Sequence, residues 1–304
     1  MKALWNIVLW FSVIPCFAVS NQAIEKRLVN INDIQRTYRI QIPACYSPDK
    51  SFPLVFVLHG GGGSGENMPA FTGFGTLAET GGFIAVYPDG YQKYWNDGRD
   101  FSFSRMDDVK FLRTVFETVS KEFNVDKTRV YAVGISNGAM MCYRLGIEMF
   151  DVFAAIAAVC GNLPMKLADG KPKNFVSVLI MNGTSDSLVP YDGGTIQVFG
   201  KNRGYVISTE MTVEFWVKAN KCFEKLPEKN VDINKNDGSR IVINTYVNHD
   251  NGTKVVLYKI IGGGHTWPGG IQYLAEKIVG KVNRDIKAEQ VIWEFFSTCK
   301  KEQQ

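Results

Sequence analysis

The chain has 304 residues, of which 45% are hydrophobic and 21% charged, with 20 Phe, 12 Tyr and 6 Trp. That is ordinary globular composition with enough aromatic mass to fill a large core. A formal net charge of +4 gives no reason to expect nucleic acid or anionic lipid as a partner.

The first twenty residues stand apart. Lys2 precedes an apolar run from Leu4 to Val19, and Ala18-Val19-Ser20 places small residues where a signal peptidase reads, just before Asn21. The run is short against the roughly 20 residues of a bilayer span. Residues 1–20 therefore read as a signal peptide, with a secreted or periplasmic product and no stable membrane insertion after cleavage. A lipoprotein reading would start the mature chain at Cys16, but Pro15 stands where a small residue is expected. Cleavage removes only Lys2 from the charge count, so +4 becomes +3. Five cysteines remain: Cys45, Cys142, Cys160, Cys222 and Cys299. Cys142 and Cys160 lie in apolar runs and read as small buried hydrophobes. Cys222 and Cys299 each follow a predicted helix, and in an oxidising compartment they are the expected disulfide.

Further along, Arg36 to Ile42 alternates as a half-buried strand does. Short continuous apolar runs then suit strands covered on both faces: Pro53 to Leu58, Phe83 to Tyr87, Val130 to Val133, Phe153 to Val159 and Val176 to Met181. Helical spacing lies between and after them, over Asp107 to Phe123, Asn137 to Met149, Thr209 to Lys221 and Lys287 to Cys299. This alternation predicts an α/β fold, a mostly parallel sheet with helices on both faces. Ligands of such sheets sit at the carboxyl ends of the strands.

Four strand ends carry chemistry. Gly134-Ile-Ser136-Asn137-Gly138 follows a buried strand and opens a helix, the setting of a nucleophile elbow. There the Asn137 N–H and the helix N-terminus face any oxyanion that forms. His59-Gly60-Gly61-Gly62-Gly63 ends another strand, and its glycines let the N–H of Gly61 or Gly62 turn inward as a second oxyanion donor. His59 itself is expected to organise that loop. Asp186, after Gly183-Thr-Ser, can orient a histidine, with Asp192 as a competing acid. His265 follows Gly262-Gly263-Gly264 after a strand, where it is expected to move on a glycine hinge. The order Ser, Asp, His is that of the α/β-hydrolases.

The segments HGGGGSGEN, YPDG, DDVKFL, RVYAVGISNGAMM, GTSDSLVPYDGG and GGGHTWPGG together resemble the secreted polyhydroxybutyrate depolymerase and feruloyl esterase family. The resemblance covers roughly residues 38 to 298. It implies an α/β-hydrolase catalytic domain over residues 21–304 and a triad of Ser136, Asp186 and His265. It also implies that Trp267 lies beside the substrate and that Trp95 and Asn96 belong to a loop near it. Asp107 and Asp108 match the family's DDV, and helix capping accounts for one of them. Many relatives have a cysteine soon after the position of Tyr246, where this chain reads Val247-Asn-His-Asp-Asn-Gly.

The expected reaction is two-step acyl transfer on a carboxylic ester, the substrate being polymeric or oligomeric. Hydroxybutyrate polyester and feruloyl or acetyl esters of plant polysaccharide all fit. Tyr94, Trp95, Phe101, Phe103 and Trp267 are candidates to stack on it. No metal or cofactor is expected, since neither a Cys/His cluster with ligand spacing nor a phosphate loop is present. A secreted peptidase, or a carbohydrate-binding protein on a hydrolase scaffold, is the alternative reading.

Overall fold

A computed structural model describes residues 24–99 and 106–301. The expected signal peptide and the stacking candidates Phe101 and Phe103 lie outside the described residues.

The N-terminal half lays down β1 (Glu25–Ile31), β2 (Ile34–Gln41), β3 (Phe52–Leu58), α1 (Met68–Thr72), α2 (Phe74–Gly81) and β4 (Ile84–Pro88). It continues through α3 (Asp108–Glu122), β5 (Val125–Ile135), α4 (Asn137–Glu148), β6 (Ala155–Val159) and β7 (Ser177–Gly183). After β7 come β8 (Gly194–Val198), β9 (Lys201–Val206), α5 (Thr209–Ala219), β10 (Glu224–Lys225), β11 (Lys229–Val231), β12 (Arg240–Val247) and β13 (Lys254–Ile261). Two helices close the chain, α6 (Glu276–Val279) and α7 (Ala288–Ser297).

The main sheet runs β1-β2-β4-β3-β5-β6-β7-β13-β12-β10, with β11 paired beside β12. Its centre, β4 through β13, is parallel, and antiparallel strands flank it on both sides. Every residue of β3, β4, β6 and β7 is buried, as expected of strands covered on both faces. Alternate residues of β3 divide between two cores. Leu54, Phe56 and Leu58 meet α3, α4 and α5 through Phe111, Leu145 and Trp216. Val55 and Val57 meet α1, α2 and α7 through Met68, Phe74 and Ile292. This is the α/β-hydrolase fold, with a mostly parallel sheet between two helical layers.

From β3 the chain winds one way to β4 and then crosses back to β5 on the other side of β3. The strand order therefore reverses between β3 and β5, and the crevice at their carboxyl ends is where such sheets hold ligands. The HGGGG loop follows β3 and Ser136 follows β5, so both open onto that crevice.

The expected disulfide between Cys222 and Cys299 is not formed. Cys222 packs in the core on the α5 side of the sheet and Cys299 in the core on the α7 side. The Cys222 thiol lies 3.3 Å from the Thr253 carbonyl and the Cys299 thiol 3.3 Å from that of Phe295. Each sulfur is thus a small buried hydrophobe with a local acceptor.

Candidate active site

Ser136 has φ 57° and ψ −119°, a conformation an L-residue adopts only under constraint. The constraint is the strand-to-helix turn. The Ser136 N–H donates to the Val159 carbonyl at 2.8 Å, and its own carbonyl accepts from Met140 N–H at 3.0 Å. Any Cβ at Gly134 would fall 2.4 Å from the Gly138 backbone, and one at Gly138 would fall 2.6 Å from the carbonyls of Leu58 and His59. Only glycine at both flanks lets α4 start against the end of β3, which brings the serine beside the glycine loop.

That loop is held from beneath by His59, as expected. Its Nε2 accepts from Gly90 N–H at 2.9 Å, so the proton is on Nδ1, which donates to the Gly60 carbonyl at 2.7 Å. Burial pushes the imidazole below its ordinary pKa, favouring the neutral ring. Gly60 lies against Ser136, and a Cβ at Gly60 would sit 3.5 Å from Ser136 Cβ. Of the two expected loop donors, Gly62 is corrected: its N–H is already donated to the Lys93 carbonyl at 2.8 Å. Gly61 lines the cavity instead, along with Asn137, which begins α4 and whose N–H belongs to the unpaired first turn.

Asp186 and His265 meet. Asp186 Oδ2 lies 2.7 Å from His265 Nδ1, and Oδ1 accepts the N–H groups of Leu188 and Val189, both at 2.8 Å. The carboxylate is thus fixed on two sides, with one oxygen left for the imidazole. Asp192, the competing acid, is exposed. His265 is 3% exposed, and Gly264 before it is packed so that a Cβ there would sit 2.1 Å from the Val279 carbonyl. The glycines therefore serve close backbone packing and not the expected hinge.

Ser136, His265, Gly61 and Asn137 face one cavity of about 410 Å³. Tyr94 also lines it, in keeping with its place among the stacking candidates. The expected stacking of Trp95 and Trp267 on substrate is corrected. Trp267 is wholly buried under the site, edge-on to Phe74, with Nε1 3.5 Å from a Glu289 carboxylate oxygen. Trp95 is buried against His59 and donates Nε1–H to its carbonyl at 2.8 Å. Asn96 spends its N–H on Asp108 and its side-chain amide on the Met106 carbonyl. Both tryptophans support the site from behind because their side chains turn into the fold.

Two features went unread in the sequence. The Asn137 side chain grips the loop, accepting from Trp95 N–H and donating to the Trp95 carbonyl and to the buried Asp97. Cys160, with φ 53°, stands so that its sulfur and ligand atoms of Asp186 and His265 lie within 4.8 Å of one another. Its thiol donates to the Thr266 carbonyl at 3.1 Å. Burial, reinforced by the Asp186 charge, pushes its pKa well up, so it packs as a protonated thiol.

The family model described as "Putative esterase" matches residues 31–184. The chain belongs to this esterase family. Over 287 residues it is 32% identical to "Putative esterase NocK" of Nocardia uniformis subsp. tsuyamanensis, covering 91% of this chain and 83% of that one. Over 233 residues it is 30% identical to "Feruloyl esterase B" of Piromyces equi, covering 74% of this chain but only 42% of that protein. The acetyl xylan esterase of Aspergillus awamori has the same fold, with a TM-score of 0.57 at 16% identity over 90% of this chain and 99% of that one. This esterase is thus a carboxylic-ester hydrolase of the feruloyl esterase-like α/β-hydrolases. Among its described residues, no helix is long and apolar enough to cross a membrane.

Proposed function

We propose that this esterase is an exported enzyme that cleaves esters of a polymeric or oligomeric substrate by serine acyl transfer. The observation that carries the reading is the 2.7 Å contact of Asp186 with Nδ1 of His265, which lines a cavity onto which strained Ser136 also opens. With Nδ1 engaged by the carboxylate, His265 Nε2 is the nitrogen left to take the Ser136 proton as the hydroxyl attacks the ester carbonyl. Asp186 keeps the imidazole in that tautomer and stabilises its cation. The N–H groups of Gly61 and Asn137 receive the tetrahedral oxyanion. His265 then passes its proton to the departing alcohol, and water releases the acyl-enzyme by the reverse path.

Feruloyl and acetyl esters of plant polysaccharide and hydroxybutyrate polyester are the candidate substrates, the first by likeness to a feruloyl esterase. Turnover of methyl ferulate, acetylated xylan and hydroxybutyrate oligomers, measured side by side, ranks these. Ser136→Ala is expected to lower kcat on any accepted ester by on the order of 10⁶-fold with the fold retained by circular dichroism. Near-normal turnover in that variant would remove Ser136 from the mechanism.

A further inference from the structure

The cavity at Ser136 has two apolar walls, and different parts of the chain build them. One carries Phe71, Tyr273 and Leu274. This wall is tied to the base, because the Tyr273 hydroxyl donates to the His265 carbonyl at 3.0 Å and its ring meets Phe71 edge-on at 5.8 Å. On the other side Met140, Leu188, Val189, Ile196 and Val198 line the cavity, with the guanidinium-bearing Arg99 and Arg203 beside them. Met140, Val189 and Ile196 join Val206 in a small hydrophobic cluster separate from both cores of the sheet. Met140 sits one helical turn beyond the nucleophile, and Ile196 and Val206 come from the antiparallel hairpin β8–β9.

The hairpin is anchored on two sides. Val206 bridges to Pro164, and Ile207 N–H donates to the Leu163 carbonyl at 3.1 Å. On the other side Arg99 donates to the Arg203 carbonyl at 2.8 Å while its guanidinium pairs with buried Asp97 at 2.7 Å. Asp97 also holds the Asn137 side chain at 2.6 Å. The apolar wall is therefore set in place relative to the oxyanion donors.

His265 must reach the leaving oxygen, so the alcohol belongs on the wall attached to His265. The acyl group then turns to the other wall. We propose that the β8–β9 hairpin sets acyl-group size, that Ile196 closes the acyl pocket, and that the acyl group accepted there is apolar and longer than acetyl. The inference rests on Ser136 being the residue that is acylated.

The test compares kcat/KM on p-nitrophenyl acetate, butyrate and hexanoate for the native enzyme and for Ile196→Trp and Ile196→Ala. The native enzyme is expected to favour butyrate over acetate by roughly a hundredfold, since butyrate has two more methylenes and each counts for about tenfold in an apolar pocket. Ile196→Trp is expected to cut the butyrate-to-acetate ratio by about tenfold, and Ile196→Ala to raise the hexanoate-to-butyrate ratio severalfold. Butyrate esters of different alcohols should keep their ranking in both variants. Should Ile196→Trp fail to fold, Ile196→Ala decides by itself. Unchanged acyl ratios, or a shift confined to the alcohol series, would overturn the proposal. Loss of the serine assignment would show separately, as activity surviving in Ser136→Ala.

Discussion

At the scale of single residues, the site depends on groups that hold its loops in place. His59 is one. Its neutral ring joins Gly90 to the Gly60 carbonyl, and so sets the loop that presents Gly61. A proton on Nε2 would abolish its acceptor and leave a cation in a site that is 1% exposed. The native imidazole binds that proton less readily than the unfolded one, whose ordinary pKa is 6.5. The stability that neutral His59 contributes is therefore full above that value, and it is lost as the pH falls below it toward the depressed native pKa. Between about pH 7 and pH 5, Tm is expected to fall more steeply for the native enzyme than for His59→Gln, which keeps a donor and an acceptor without titrating. Equal slopes would remove His59 from that role.

At the scale of elements, the start of α3 shows how two adjacent acids take different work. Asp107 caps the helix, accepting from Lys110 N–H at 2.9 Å. Asp108, wholly buried, binds Arg36 of β2 at 2.7 Å and accepts Asn96 N–H. The Arg36 guanidinium also lies 4.0 Å over the Phe111 ring. Burial pushes the Asp108 carboxyl above the usual range, and Arg36 opposes that push. Removing the carboxylate leaves a buried guanidinium without its counter-charge. Asp108→Ala is thus expected to cost about 3–5 kcal/mol in urea unfolding, whereas Asp107→Ala should cost about 1 kcal/mol, the loss of a cap. Similar losses for the two would show that the buried pair does not join β2 to α3 as drawn.

For the whole molecule, reversal of strand order between β3 and β5 brings segments far apart in sequence to one crevice. The proposed nucleophile, acid and base, Ser136, Asp186 and His265, follow β5, β7 and β13, which the parallel sheet aligns at one edge. The proposed export belongs to the scale of the whole chain too. We propose that residues 1–20 are removed, so the secreted enzyme should begin at Asn21. Intact mass and N-terminal sequencing of protein from the medium or periplasm check this, and retention of Met1 there would contradict it.

How much was legible in the sequence follows from the range of each signal. The buried runs at Pro53 to Leu58 and Val176 to Met181 lie within one residue of β3 and two of β7, because continuous apolar residues need cover on both faces wherever they occur. The elbow around Ser136 was legible for a local reason: a serine at positive φ between a strand and a helix needs small neighbours. The polar opening concealed β1, an antiparallel edge strand whose residues are largely exposed and lack a strong pattern. The β8–β9 hairpin escaped notice because its apolar residues are few and bury themselves only against Met140 and Val189.

The sequence by itself thus determined the α/β architecture and the membership of an esterase family, since these rest on local periodicity and short motifs. Only the tertiary structure decided that Asp186, rather than Asp192, meets His265 and that Gly62 gives its N–H to Lys93. The same holds for Trp95 and Trp267, which face the interior while Ile196 and Tyr273 line the cavity. A residue's type states what it can bind. The direction in which its side chain points is set by packing against segments a hundred residues away, and no local pattern encodes that.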